Sequence, residues 1–220
     1  MKYLKILFLF CIAQQYGQQH ISKQIAFDNE LIVVDLDDID ELRIEQSSTA
    51  MLSVEMEGQE DKLSMLDLTK TKGLILISST ELIDQTSNGT EKFCRIQPLF
   101  NSYTLKIPDG AQVKVTYLDG NMKVNNFFGD LDIKMNRGNI HLASYRGNCT
   151  ISLYAGNVFA ALKNTAFAID TNLGNFKTDL SPEAYGEKSH HFTGVYGNAK
   201  NFLKVNTIRA NIDLKGAENQ

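Results

Sequence analysis

The chain has 220 residues, with 22 lysines and arginines against 26 aspartates and glutamates, four histidines and three cysteines. A formal net charge of −4 argues against a nucleic-acid partner, because such binding is carried by basic surface. At 43% hydrophobic residues the chain can bury a sizeable core, in one elongated domain or two small sheets.

Residues 1–19 read as a secretory signal peptide. Lys2 and Lys5 supply the positive start and Ile6 to Ala13 the apolar run. Cys11-Ile12-Ala13 offers small residues for cleavage, with a cut after Gly17 as the alternative. The run is far shorter than the ~18 residues of a membrane span, and no later segment is apolar enough to supply one. Loss of the two lysines leaves the mature chain two units more negative.

Residues 20–104 read as an irregular N-terminal β region. Short alternating segments recur at Leu31 to Val34, Leu42 to Ile44, Leu52 to Met56 and Leu74 to Ile77, separated by breaks at Gly58 and Gly73. Twelve acids and the single base Arg43 lie between Asp28 and Asp61. The group from Asp35 to Glu41 lacks the central glycine and closing glutamate of a calcium loop, so it reads as a solvated negative face. Ser87-Asn88-Gly89-Thr90 is a turn, and Cys94 falls in the least regular stretch.

From Leu105-Lys106-Ile107 onward the chain becomes repetitive, and residues 105–214 read as one region. Gly120, Gly129, Gly138, Gly147, Gly156 and Gly174 share a nine-residue lattice that only Thr165 interrupts, and each is followed by Asn or Asp. Two and four places later the residues are mostly apolar, as in Leu131/Ile133, Ile140/Leu142, Cys149/Ile151 and Val158/Ala160. Each unit is thus a strand of about five residues and a turn of about four. An antiparallel meander and a β-solenoid both fit. At a spacing of eighteen, Ile133, Ile151 and Ile169 align, as do Met122, Ile140, Val158 and Phe176, while Val124, Leu142, Ala160 and Thr178 form a different column. Two unlike faces favour the solenoid, a single-stranded, right-handed β-helix-like stack with about 18 residues per coil, capped by the irregular N-terminal coils. A loop is expected at about 181–200. Asn201, Leu203 and Val205 rejoin the lattice, Ala210 to Leu214 mimics the unit, and 215–220 is a tail.

The Leu105-Lys106-Ile107-Pro108-Asp109-Gly110-Ala111 stretch and the run GDLDI from Gly129, GNIHL from Gly138, GNCTI from Gly147 and GNVFA from Gly156 carry a resemblance. From about Ile44 to Leu180 the chain resembles the bacterial putative adhesin family, a relative of the auto-transporter adhesin head GIN domain. The resemblance implies an exported, β-helical protein without an established catalytic site.

The residues themselves offer little chemistry. There is no Gly-x-Ser-x-Gly elbow, His-Glu-x-x-His or phosphate loop, so no catalytic residue, cofactor or metal site is expected. His190-His191 near Glu187 reads as an ordinary polar loop, and Cys149 as a core residue that nothing obliges to pair with Cys94. Binding candidates are aromatic: Phe127 and Tyr145 align at eighteen residues, with Tyr154 nearby, and stacked rings suit sugars or a protein partner. Packing over coil corners would explain the same residues. The expected function is an exported envelope binding or structural protein, in the periplasm, on the outer-membrane surface or outside the cell, contacting a cell-surface glycan or protein. The alternative is a polysaccharide-acting β-helix enzyme. That would need acids or bases clustered on one face, and the outward series Lys123, Asp132, His141, Thr150, Phe159, Ala168, Lys177 shows none.

Overall fold

The computed structural model describes residues 18–36, 39–59, 64–81, 101–181, 185–188 and 190–217. The signal-like segment up to residue 17, Asp37, Asp38 and Cys94 lie outside them. Among the described residues all regular structure is strand, joined in one large sheet that does not close.

Seven strands precede the glycine lattice: β1 (Gln18–Ala26), β2 (Leu31–Asp35), β3 (Ile39–Gln46), β4 (Met51–Gln59), β5 (Ser64–Thr71), β6 (Leu74–Glu81) and β7 (Asn101–Ile107). The repetitive part comprises β8 (Ala111–Asn125), β9 (Phe127–Leu142), the two-residue β10 (Tyr145–Arg146), β11 (Asn148–Leu162), β12 (Thr165–Thr171) and β13 (Phe176–Thr178). Then come β14 (Tyr185–Lys188), β15 (His191–Tyr196) and the long β16 (Asn201–Gly216). β1 begins at Gln18, so cleavage after Ala13 or Gly17 would leave it whole.

The middle obeys the lattice. β8 lies parallel to β9 with Val115 beside Ile133, and β9 lies parallel to β11 with Ile133 beside Ile151, an offset of eighteen residues each time. Parallel pairing stacks like on like, so alternate residues fill one continuous core: Val115, Ile133, Ile151, Met122, Ile140 and Val158 are all fully or nearly fully buried. The glycines make the corner possible. A Cβ on Gly138 would stand 1.6 Å from the Gly120 carbonyl oxygen, and one on Gly156 1.8 Å from that of Gly138. Their φ values of about +141° also exclude most side chains. Just past the corner the asparagines form a ladder. Asn139 Nδ2 donates to Asn121 Oδ1 at 2.9 Å, and Asn157 Nδ2 to Asn139 Oδ1 at 2.7 Å. Asn211 and Asn175 continue it at 3.1 and 3.3 Å.

The ends do not follow chain order. β16 lies between β11 and the β12–β13 pair, parallel to all three, with Ile151 beside Val205 and Val205 beside Ile169. The expected contacts of Ile151 with Ile169 and of Val158 with Phe176 are therefore replaced: Val205 and Ile212 stand between them. Likewise Leu214 separates Ala160 from Thr178. The lattice specifies register, and a strand in the same register can enter without disturbing it.

At the other end, β2 and β3 pair in parallel with the two halves of β8, and β6 and β7 lie beyond them on β2 and β3. Among the described residues, the region expected to be irregular thus supplies two further layers of the stack. Its period is hidden because β4 and β5 intervene between the segments that stack. β4 is antiparallel to β1 and β7, and β5 to β6. Instead of the loop expected at about 181–200, β15 runs antiparallel to β12, and β14 to β15.

The acidic stretch is partly paired. Glu41 meets Lys123 and Arg43, Glu55 meets Lys106 at 2.7 Å, and Lys70 joins Asp28 at 2.9 Å and Glu30 at 2.6 Å. Cys149 is a buried free thiol, and burial raises its pKa.

Candidate functional site

The aromatic residues singled out from the sequence separate into two groups. Phe127 and Tyr145 do stand side by side on β9 and β10, but they are 2% and 5% exposed. They pack the interior of a corner, out of a ligand's reach. Tyr154 is 45% exposed and lines a groove on another corner.

That groove has a volume of about 670 Å³, within the usual range for ligand sites. Its geometry follows from the coil. Residues three places before each corner glycine align between rungs, so Tyr117, Met135 and Leu153 form a buried apolar floor, extended by Thr207 of β16. The small glycines let these side chains fold against the corner: an added Cβ on Gly138 would lie 3.0 Å from Met135 Cε. Tyr154 and Ile208, each the residue after a floor position, also line the groove and are both exposed. One residue before the floor, Thr116, Lys134, Ser152, Asn206 and Asp170 run across five adjacent strands as a polar rim. With rungs about 4.8 Å apart, the groove extends roughly 19 Å along the stack.

Two hydroxyls beneath it lack partners among the described residues. Tyr117 OH and Thr207 Oγ1 are buried with no hydrogen-bond partner there, and an unpaired buried hydroxyl costs free energy. Burial also pushes the Tyr117 phenol well above its usual pKa range. At one end Asp170 Oδ1 meets His191 Nδ1 at 2.6 Å. The pair is exposed on both sides.

The histidines divide in the same way. His141 points outward and stacks on Phe159, ring centres 4.5 Å apart, while His191 belongs to the Asp170 pair and His190 sits in a turn with positive φ. Among the described residues no cluster of three or more His, Cys, Asp or Glu could hold a metal. No described helix is long and apolar enough to cross a membrane.

Of the groove residues the sequence reading named only Tyr154. Tyr117, Met135 and Leu153 were visible as a column three residues before the glycines. Ile208 and Thr207 were not, since nothing in the lattice tells that β16 enters beside β11.

The described residues form an all-β, largely parallel stack of solenoid-like build with a lateral groove on one corner. The family comparison agrees: residues 101–215, just over half of the chain, match the Toastrack DUF4097 family, and the protein belongs to it. A comparison with curated proteins gives no match. Among solved structures, the chain is similar to one described as a putative cell adhesion protein from Clostridium sporogenes. Identity is 12% and the TM-score 0.66, covering 91% of this chain and all of that one. A putative adhesin from Bacteroides fragilis shares 10% identity at a TM-score of 0.29, over 90% of this chain and 98% of that one. A putative lipid binding protein from Parabacteroides distasonis shares 13% at 0.29, over 90% and 95%. The first likeness shows a common fold. The other two are too remote to carry an argument.

Proposed function

We propose that this chain is an exported, non-catalytic binding protein of the cell envelope, built as a solenoid of about eighteen residues per coil with antiparallel strands closing both ends. It holds an extended surface glycan along the corner groove. The observation that carries this reading is the groove itself: a buried apolar floor, the exposed ring of Tyr154, and a rim that mixes hydroxyl and amide side chains with Lys134 and Asp170. A sugar offers the matching chemistry, C–H faces for the ring and hydroxyls for the rim. The basic start and apolar run of residues 1–19 support export, and the description of the Clostridium sporogenes relative as a cell adhesion protein accords with an envelope role.

Isothermal titration with cell-envelope polysaccharide tests the reading. Tyr154→Ala should fold normally and bind roughly three- to tenfold more weakly, the loss of one stacked ring. Phe159→Ala, exposed elsewhere, should bind as the wild type does. Undiminished binding by Tyr154→Ala overturns the groove, and release of new reducing ends by the wild type overturns the non-catalytic reading. Mass spectrometry of protein from its native host should find the N-terminus between Gln14 and His20; an intact Met1 would contradict export.

A further inference from the structure

β16 is the last of the described strands in sequence, yet it occupies a slot inside the stack, with β11 on one side and β12 and β13 on the other. Against β11 its offset is fifty-four residues and against β12 thirty-six. The difference is eighteen, the step between β8, β9 and β11. β11 and β12–β13 have therefore kept the register in which they would pair directly. Without β16, Ile151 would meet Ile169, Val158 would meet Phe176, Gly156 would meet Gly174, and Asn157 would continue the ladder to Asn175. Each pairing is of the kind found between β9 and β11.

We propose that β16 is an exchangeable strand: it leaves its slot, which closes by direct pairing of β11 with β12–β13, and it can enter the same slot of a second copy. Two observations support this. The slot can close in register, so departure of β16 does not leave two open edges, which are otherwise costly and prone to aggregation. β16 is preceded by Gly197 to Lys200, an exposed turn with positive φ at Gly197 and Ala199, which supplies a hinge. The partner is identified by the slot: only a strand alternating apolar residues in the pattern Leu203, Val205, Ile212, Leu214, with Ala210 and Asn211 at the corner, satisfies both neighbours. A second copy of this chain carries it. Exchange of an identical element is a low-cost route to dimers, and it rests on the fold alone, independent of the groove's ligand.

The test uses the full mature chain with Cys94→Ala and Cys149→Ala. One batch carries Thr150→Cys and another Lys204→Cys, neighbours across the β11–β16 pairing. The two are mixed at high concentration, taken briefly to the urea midpoint, returned to native buffer and oxidised. Strand exchange brings the two cysteines of different copies within the ~4.4–6.8 Å that a disulfide needs, and the mixed dimer should exceed that of a Lys114→Cys and Lys204→Cys mixture by about tenfold. Equal yields from both mixtures, or no mixed dimer from either, overturn the proposal. Should the alanine background fail to fold, native mass spectrometry of unlabelled and nitrogen-15-labelled wild-type chains, mixed in the same way, reads the exchange. Mixed dimers support it and monomers alone overturn it.

Discussion

The centre and the ends of this molecule obey the same register but different neighbour rules. From β8 to β11 each strand lies beside the one eighteen residues away, and chain order equals spatial order. At both ends a segment distant in sequence is interposed: β2 and β3 between β6–β7 and β8, and β16 between β11 and β12–β13. A repeating sequence sets which face each residue presents, because a one-residue slip would turn the core outward. It does not set which coil stacks on which, because every coil offers the same surface. Interposition ties the ends of the stack to its middle through non-local contacts, as the central coils are tied only to their immediate neighbours.

The largest expected effect lies in the glycine corner that both regions share. Gly138→Val should abolish folding, since its Cβ would overlap the Gly120 carbonyl and its φ is disallowed for a β-branched residue. Gly110→Ala has positive φ but open space around it, so it should lose only about 1–2 kcal/mol. Urea denaturation of both variants distinguishes crowding from backbone strain. Similar losses would mean the corner is not close-packed.

Next come paired substitutions in the two regions. Ile151→Asp in a central strand and Val205→Asp in the interposed one both bury an unpaired carboxylate, at a cost of several kcal/mol. His141→Asp, on the outward face, should change the urea midpoint little. If Val205→Asp were as mild as His141→Asp, β16 would not be an integral rung.

How much of this was legible follows from the same contrast. The inward positions from Val113 to Ile169 could be read directly, because alternation and the glycine lattice both point to them. So could the inward Leu203, Val205 and Leu214. Their neighbours could not be read, because Val205 matches the Ile column as well in one slot as in another. The layers formed by β2, β3, β6 and β7 were legible as strands and as opening coils, but which strand stacks on which was not, since their partners lie up to about eighty positions apart with antiparallel strands between. The groove suffered for the same reason. Tyr154 stood out as an aromatic, but Thr207 and Ile208 join it only through the placement of β16, and Phe127 and Tyr145 looked as available as Tyr154 because a corner position leaves inside and outside undecided.

A smaller effect concerns the asparagine ladder, which crosses from the central coils into β16 and ends at Asn175. Asn139→Ala removes both a donor and an acceptor from a half-buried site and should cost about 1–2 kcal/mol. Asn175→Ala, at the exposed end, should cost a few tenths. Thermal melts of the two variants would test whether the ladder acts as a chain of bonds or as independent surface contacts.

The smallest effect is electrostatic and joins the interposed β3 to β8. Burial alone would raise the Glu41 carboxyl, but hydrogen bonds from Lys123 and Arg43 outweigh it and hold the pKa below the usual value. A carboxylate with a lowered folded-state pKa contributes stability above its unfolded pKa and loses it as pH falls through the folded one. Glu41→Gln should therefore be slightly less stable than wild type at neutral pH, by under about 1 kcal/mol because the cationic partners are substantially exposed. The two should converge in acid below the carboxylate range. A difference that persists there would assign the effect to packing.

The interposition of β16 is tested most directly by methyl nuclear Overhauser contacts in the wild-type chain. Neighbouring rungs lie about 4.8 Å apart and alternate rungs roughly twice that, so the two arrangements give separate patterns. The account predicts strong contacts from Ile151 to Val205, from Val205 to Ile169 and from Val158 to Ile212, with none from Ile151 to Ile169. A strong Ile151–Ile169 contact, with Val205 remote from both, would contradict it.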